Sequence, residues 1–390
     1  MQPKTNLQYN KHGIQKIKHK VNTIRASAKG RAKDPVFALD VPREIGLKLT
    51  NRCNLRCTHC FQWDIGGYHH TLDKSELKKD GDLSIEVIQE LLTKTKHRNS
   101  TLYLWGGEPT LYAHWDQLMD LLANDPRETV MCTNGVTLQN QIESLTKISE
   151  YLTLLVSIEG PREIHDHIRG KGTFDKIMKN LDTLIDLQKQ GTYKGSLSVE
   201  AVISDGLIPE LYNFCEFYEA KGIDSLFLNF PWYIPDTAAD DMDAYFEHKY
   251  GYMGTNQGKQ NSWHSFDFRI SSFMIDELKK QMKMILSKKW NIRIRFHPDL
   301  SEADLLGYIE GDSKPVNKTR CLGISNRIDL LPSGQVAPCK KFPEFNVGNL
   351  KGKSLEEIWH GEAFTKFREV HNNELMSICS KCEMLYANGI

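Results

Sequence analysis

Seven of the nine cysteines fall into two groups, and their spacing is the first chemical signal in the sequence. The first group is a single short run, Cys53-Asn54-Leu55-Arg56-Cys57-Thr58-His59-Cys60-Phe61, whose three thiols at Cx3Cx2C spacing can curl around one metal centre. Three thiolates suit a 4Fe-4S cluster with one iron left without a protein ligand, whereas a closed structural zinc site needs a fourth ligand. His59 could supply it, but its short tether between two of the cysteines makes joint tetrahedral coordination awkward, which favours iron and sulfur. The second group, Cys321, Cys339, Cys379 and Cys382, offers four thiolates. These could close either a 4Fe-4S cluster or a structural zinc site, and spacing alone does not choose. Cys132, in an apolar run, and Cys215, in a helix-like segment, read as small core residues.

Composition narrows the setting of this chemistry. The 390 residues exceed what one hydrophobic core usually holds, so a large domain with a smaller appendage is expected. No apolar run is long enough for a transmembrane helix, and the polar, basic start lacks the apolar centre of a signal peptide, so a soluble, cytoplasmic protein is expected. Thiols kept reduced there point to metal or redox chemistry rather than a disulfide framework. Fifty Lys and Arg balance fifty Asp and Glu, yet residues 1–33 carry nine basic residues and no acidic one. That asymmetry defines a basic arm over 1–44, either a charged docking segment or a solvated, frayed terminus. There is no clear signal for nucleic-acid binding, and the oligomeric state is left open.

The elements that must hold the cysteines follow from periodicity. Short β-like runs at 45–50, 101–105, 129–133, 152–158, 196–203 and 224–230 alternate with amphipathic stretches near 84–96, 113–123, 139–149, 173–189 and 209–221. Strands separated by helices call for crossovers and a parallel sheet. Six such units are too few for a closed eight-stranded barrel, so the expected fold is α/β, a partial (β/α)6 TIM-like barrel over 45–230 with chemistry at the C-terminal strand ends. Residues 231–320 read as an aromatic insert, a helix and a connecting segment, and 321–390 as a small C-terminal cluster domain. Within the insert, 231–272 looks irregular, with Gly251, Gly254 and Gly258 among many aromatic residues. It is expected to pack over the barrel mouth or to touch substrate.

Cys53, Cys57, Cys60 and the aromatic Phe61 resemble the signature of the radical S-adenosylmethionine superfamily. Downstream residues agree in order: Gly106-Gly107-Glu108-Pro109 after the second strand looks like the GGEP motif that holds the amino end of S-adenosylmethionine, and Thr133-Asn134-Gly135 ends the third. Ser157 on the fourth strand and Arg169 beyond it match residues that contact the carboxylate and ribose in the peptide-modifying and sulfatase-maturing branch. Glu159 stands where many relatives have Asp, and an ion pair of Asp166 with Arg169 is the plain structural alternative. The resemblance implies S-adenosylmethionine chelated at the open iron and cleaved by one electron to methionine and a 5′-deoxyadenosyl radical. It also implies an external low-potential electron donor such as flavodoxin or ferredoxin.

The spacing Cys321-x12-Gly334-x4-Cys339 resembles the start of the SPASM extension, shortened here in the manner of a twitch domain, with cysteines for one auxiliary 4Fe-4S cluster rather than two. Zinc remains the alternative there. The resemblance implies an oxidoreductase-type enzyme that abstracts a hydrogen atom, first of all from a peptide or protein in natural-product maturation, by crosslinking, oxidation or epimerisation. A small-molecule radical dehydrogenase acting on a sugar or aminocyclitol is the second reading, and a non-catalytic iron–sulfur or zinc protein the third. His69, His70 and His297 are candidate bases for the dehydrogenase. A thiol such as Cys215 would be the hydrogen-atom donor in an epimerisation.

Overall fold

The computed structural model describes the whole chain except residues 10, 73, 74, 76, 78–80, 255–258, 311–314 and 316; Gly258 thus lies outside the described residues. The six expected strands are present as β2 (Glu44–Lys48), β3 (Thr101–Trp105), β4 (Thr129–Thr133), β5 (Leu152–Ser157), β6 (Ser196–Val202) and β7 (Ser225–Asn229), following the short β1 (Lys4–Thr5). They pair in sequence order and in parallel. Their runs of Leu, Ile and Val suit strands covered on both faces. The intervening helix Ile85–Thr95 shows how the cover is made. Ser84 caps it by accepting from the Val87 amide, and Val87, Ile88, Leu91 and Leu92 form its buried face. Each such side chain contributes roughly 1.5–3 kcal/mol through burial.

Two further strands extend the parallel array beyond the six expected. β9 (Arg293–His297) joins β7, and β10 (Arg327–Leu330) joins the opposite edge at β2, with Ile328 beside Ile45 and Leu330 beside Leu47. β10 then turns through Pro332-Ser333-Gly334, where Gly334 has φ +86°, into antiparallel β11 (Gln335–Ala337) and β12 (Gly348–Asn349). The resulting ten-stranded sheet runs from β12 to β9 without closing on itself. The first strand of the cysteine-bearing C-terminal segment is therefore continuous with the sheet that carries the first cysteine run.

The basic arm is built into the fold rather than frayed. β1 pairs with β8 (Lys289–Trp290), and α1 (Lys11–Arg31) lies against the molecule through Ser27 and Arg31, both buried. Arg31 donates to Ser325 Oγ (3.2 Å), the Arg368 carbonyl (3.3 Å) and Asn372 Oδ1 (3.1 Å). Lys16 pairs with Glu128 (2.5 Å), and Lys20 with Glu44. The insert also differs from expectation, since a helix, Asp236–Tyr250, occupies the stretch read as irregular. Pro235 starts it, and Ala238, Ala239, Met242, Phe246 and Tyr250 make a buried stripe. The density of aromatics on all sides hid that period.

Candidate active site

The first cysteine run follows β2 and is fastened to the end of β3 by main-chain bonds. Gly107 N–H donates to the Thr50 carbonyl (2.8 Å) and Glu108 N–H to that of Arg52 (2.7 Å). The two glycines make this approach possible. A Cβ on Gly106 would sit 2.5 Å from the Thr50 oxygen, and one on Gly107 2.1 Å from the Arg52 oxygen. The backbone that needs their missing side chains is therefore the cysteine loop. Glu108 is buried, and its carboxylate binds protein: Oε1 accepts from Thr110 Oγ1 and Thr133 Oγ1 (both 2.7 Å), and Oε2 from Asn134 N–H (2.7 Å). Asn134 in turn donates to Asn54 within the cysteine loop (2.8 Å), and Pro109 opens a buried 3-10 turn. Gly106, Gly107, Glu108 and Asn134 thus position the cysteines as well as line the cavity.

Cys53, Cys57 and Cys60 border one cavity of about 280 Å³, on the scale of a small-molecule site, with Phe61, Ser157 and Arg169 also on its wall. The three thiols are free of disulfides. Burial pushes the Cys53 thiol up to about 11 and Cys57 up to about 12, so both stay protonated at neutral pH unless a metal displaces the proton. The donor set and its enclosure fit a 4Fe-4S cluster. His59, the alternative metal ligand, instead has Nε2 3.0 Å from Glu159 Oε1.

Glu159 is the charged hub of the site. Its Oε1 also accepts from Arg169 Nε (2.9 Å) and Nη2 (2.5 Å), and its Oε2 from the Val202 amide (2.8 Å). Burial opposes its ionisation, but Arg169 and His59 outweigh that and hold the carboxyl well below the usual carboxylate range. Asp166 does not pair with Arg169. It accepts from the Gly172 (2.7 Å) and Phe174 (2.9 Å) amides, holding the start of the next helix. Ser157 donates to Glu200 Oε1 (3.1 Å), which also accepts from Cys132 Sγ (2.8 Å). Cys132, read from the sequence as core, is on the cavity wall.

The far wall comes from segments remote in sequence. Trp232, Phe266 and Phe268 of the insert, His297 at the end of β9, Tyr308, and Lys340, Lys341, Lys381 and Glu383 of the C-terminal segment all face the same cavity. Of the candidate bases only His297 is there. His70 is exposed, and His69 lies behind the wall with Nε2 2.8 Å from Lys48 Nζ, its pKa lowered by burial and then by that lysine. Cys215 is fully buried in the core on the helix Leu211–Lys221. It is not among the residues that border the cavity. Sequence reading passed over Glu200, Lys340, Lys341 and Glu383. Usable signals existed: a lone acid in the apolar run Ser196–Val202, and charges directly following Cys339 and Cys382.

A second, smaller cavity of about 40 Å³ is bordered by Cys321, Cys339, Cys379 and Cys382. Burial raises all four thiols, Cys382 to about 12, and no disulfide joins them, so the set fits a fully ligated cluster. Trp232, Lys340 and Lys341 border both cavities.

Comparison with known proteins agrees with this division. Residues 47–197 match the radical SAM superfamily, and 321–383 match an iron-sulfur cluster-binding domain named SPASM. The cysteine-type anaerobic sulfatase-maturating enzyme of Clostridium novyi is 26% identical over 353 residues, 85% of this chain and 83% of that protein. Mycofactocin maturase MftC of Mycolicibacterium smegmatis is 28% identical over 149 residues, 37% of this chain and only 35% of that protein. Among solved structures, Streptococcus suis SuiB bound to its precursor peptide SuiA superposes with a TM-score of 0.56 at 16% identity, covering 92% of this chain and 72% of SuiB. No helix among the described residues is long and apolar enough to cross a membrane.

Proposed function

From the premise that this chain is a radical S-adenosylmethionine enzyme with a SPASM-type iron–sulfur domain, we propose that it modifies a peptide or protein by abstracting a hydrogen atom from it. S-adenosylmethionine and 4Fe-4S clusters are its cofactors. Cys53, Cys57 and Cys60 would hold the cluster with the open iron, and Cys321, Cys339, Cys379 and Cys382 the auxiliary one. Held there with S-adenosylmethionine, such a cluster would supply radical chemistry on receiving an electron from an external flavodoxin- or ferredoxin-type donor. The chain's own work is placement. Arg169, with Ser157, offers a cation and a hydroxyl for a carboxylate or ribose, and Glu159 fixes the guanidinium. Phe61, Trp232 and Phe266 give the cavity an apolar, mutually packed aromatic wall.

The observation that carries the peptide reading is the cavity itself, which runs from the cysteine loop to an aromatic and lysine-bearing wall backed by the second cysteine set. The relatives add support, since sulfatase maturation acts on a protein and SuiB was solved with a precursor peptide. The small-molecule dehydrogenase keeps one observation, His297 on the wall as its base.

Anaerobic reconstitution should give about eight irons per chain, and Cys57→Ala should abolish 5′-deoxyadenosine release. Four irons with one zinc would remove the auxiliary cluster. Incubation with short peptides encoded beside the gene, read by mass spectrometry, should show a substrate mass change. Turnover of a sugar or aminocyclitol with every peptide unchanged would overturn the peptide reading.

A further inference from the structure

The wall shared by the two cavities carries hydrogen-bond donors that the protein leaves without acceptors. Lys341 Nζ lies over the ring of Trp232 at 4.1 Å, with Phe61 at 5.1 Å and Phe266 at 5.9 Å. The nearest carboxylate oxygen, Glu383 Oε1, is 3.8 Å away, beyond hydrogen-bond reach, and is already engaged by Lys340 at 3.2 Å. Among the described residues no other acceptor meets this ammonium, whose side chain is only 13% exposed. The Trp232 indole N–H is likewise buried and without a partner. Within 4 Å the two lysines thus share the Glu383 carboxylate alone, with Glu200 and Cys382 acting on Lys341 from farther away, and the Lys341 ammonium faces the cavity from an aromatic surface with its hydrogen-bond donors open.

We propose that Lys340, Lys341 and the Trp232 indole form a subsite for a carboxylate of the substrate, seated on the seam between the radical cavity and the auxiliary-cluster cavity. A carboxylate there would fill the open donors of Lys341 with charge-assisted bonds and restore pairing between cations and anions. This deepens the peptide reading and rests on it: the ligand is a peptide segment whose acidic side chain or terminal carboxylate docks next to the auxiliary cluster. The residue to be oxidised would then lie nearer Cys53, Cys57 and Cys60, inside the same cavity.

The probes are two capped pentapeptide amides, acetyl-Ala-Ala-Glu-Ala-Ala-amide and its Gln counterpart, together with free glutarate. Each is titrated calorimetrically into the reconstituted full-length enzyme with S-adenosylmethionine bound. The Glu peptide should bind roughly tenfold or more tightly than the Gln peptide, as a hydrogen bond to a charged group implies. Lys341→Met should erase that preference, and Trp232→Phe, which keeps the ring and removes the donor, should weaken it severalfold. Iron content should stay at the wild-type value, and the auxiliary-cluster midpoint potential is followed by electron paramagnetic resonance. Equal binding of the two peptides overturns the subsite. So does a Lys341→Met variant that shifts the potential and keeps the preference, because the lysine would then serve the cluster. Glutarate binding as tightly as the Glu peptide, with the same dependence on Lys341, upholds the carboxylate subsite and counts against a peptide as the occupant.

Discussion

At Glu159 a single carboxylate neutralises Arg169, meets His59 from the cysteine run and accepts from the Val202 amide on β6. Glu159→Gln keeps the shape and removes the charge, leaving a guanidinium that is only 11% exposed without an anion. A loss of about 3–5 kcal/mol in denaturant unfolding is expected, with weakened S-adenosylmethionine binding. Glu159→Asp should cost less, since the charge survives on a shorter arm. The residue scale is also where the sequence speaks most unevenly. Cys53, Cys57 and Cys60 are legible because a metal site made by one loop is written contiguously. Glu200 and Lys341 reach the same cavity from β6 and from beyond β11, a juxtaposition made by crossovers that local pattern does not encode.

Among elements, the tightest joint is the one between the cysteine run and β3. Gly107→Ala would place a methyl group 2.1 Å from the Arg52 oxygen, and a main-chain atom cannot turn aside as a flexible side chain can. The expected loss is about 1–3 kcal/mol, and the loop that carries the thiols moves, so iron bound on reconstitution should drop toward the four held by the C-terminal set. Iron and acid-labile sulfide analysis checks this; wild-type iron content would separate the glycines from the loop's geometry. Strands β2 to β7 were legible through their apolar runs. The helix Asp236–Tyr250 was not, because its stripe of Met242, Phe246 and Tyr250 is embedded in other aromatics. Nor did periodicity tell that β9 and β10 flank the parallel array, since edge partners are chosen by tertiary packing.

For the molecule as a whole, acid should be the sensitive direction. Burial holds His165 down to about 4 and His371 down to about 3, each lowered further by a nearby arginine. Both are neutral in the fold, whereas an unfolded imidazole takes its proton near 6.5. Between those values the unfolded chain binds more protons, so stability is complete above about pH 6.5 and drains away as pH falls toward 4. His165 accepts from the Glu159 amide, and His165→Asn keeps an acceptor while removing the titration. Its Tm should fall less steeply than wild type between pH 6.5 and 4 in thermal denaturation. Equal slopes would assign the acid sensitivity to other groups.

The pairing of β10 with β2 bears on how the protein is made. A ribosome releases the chain from its N-terminus, so the edge of β2 emerges some 280 residues before the strand that covers it. For most of synthesis that edge offers bare amides and carbonyls, the kind of surface on which nascent chains associate wrongly. The loop with Cys53, Cys57 and Cys60 acquires its finished surroundings only after residue 330 has appeared. A ribosome stalled before β10 would hold the cysteine loop beside a sheet whose β2 edge is still uncovered.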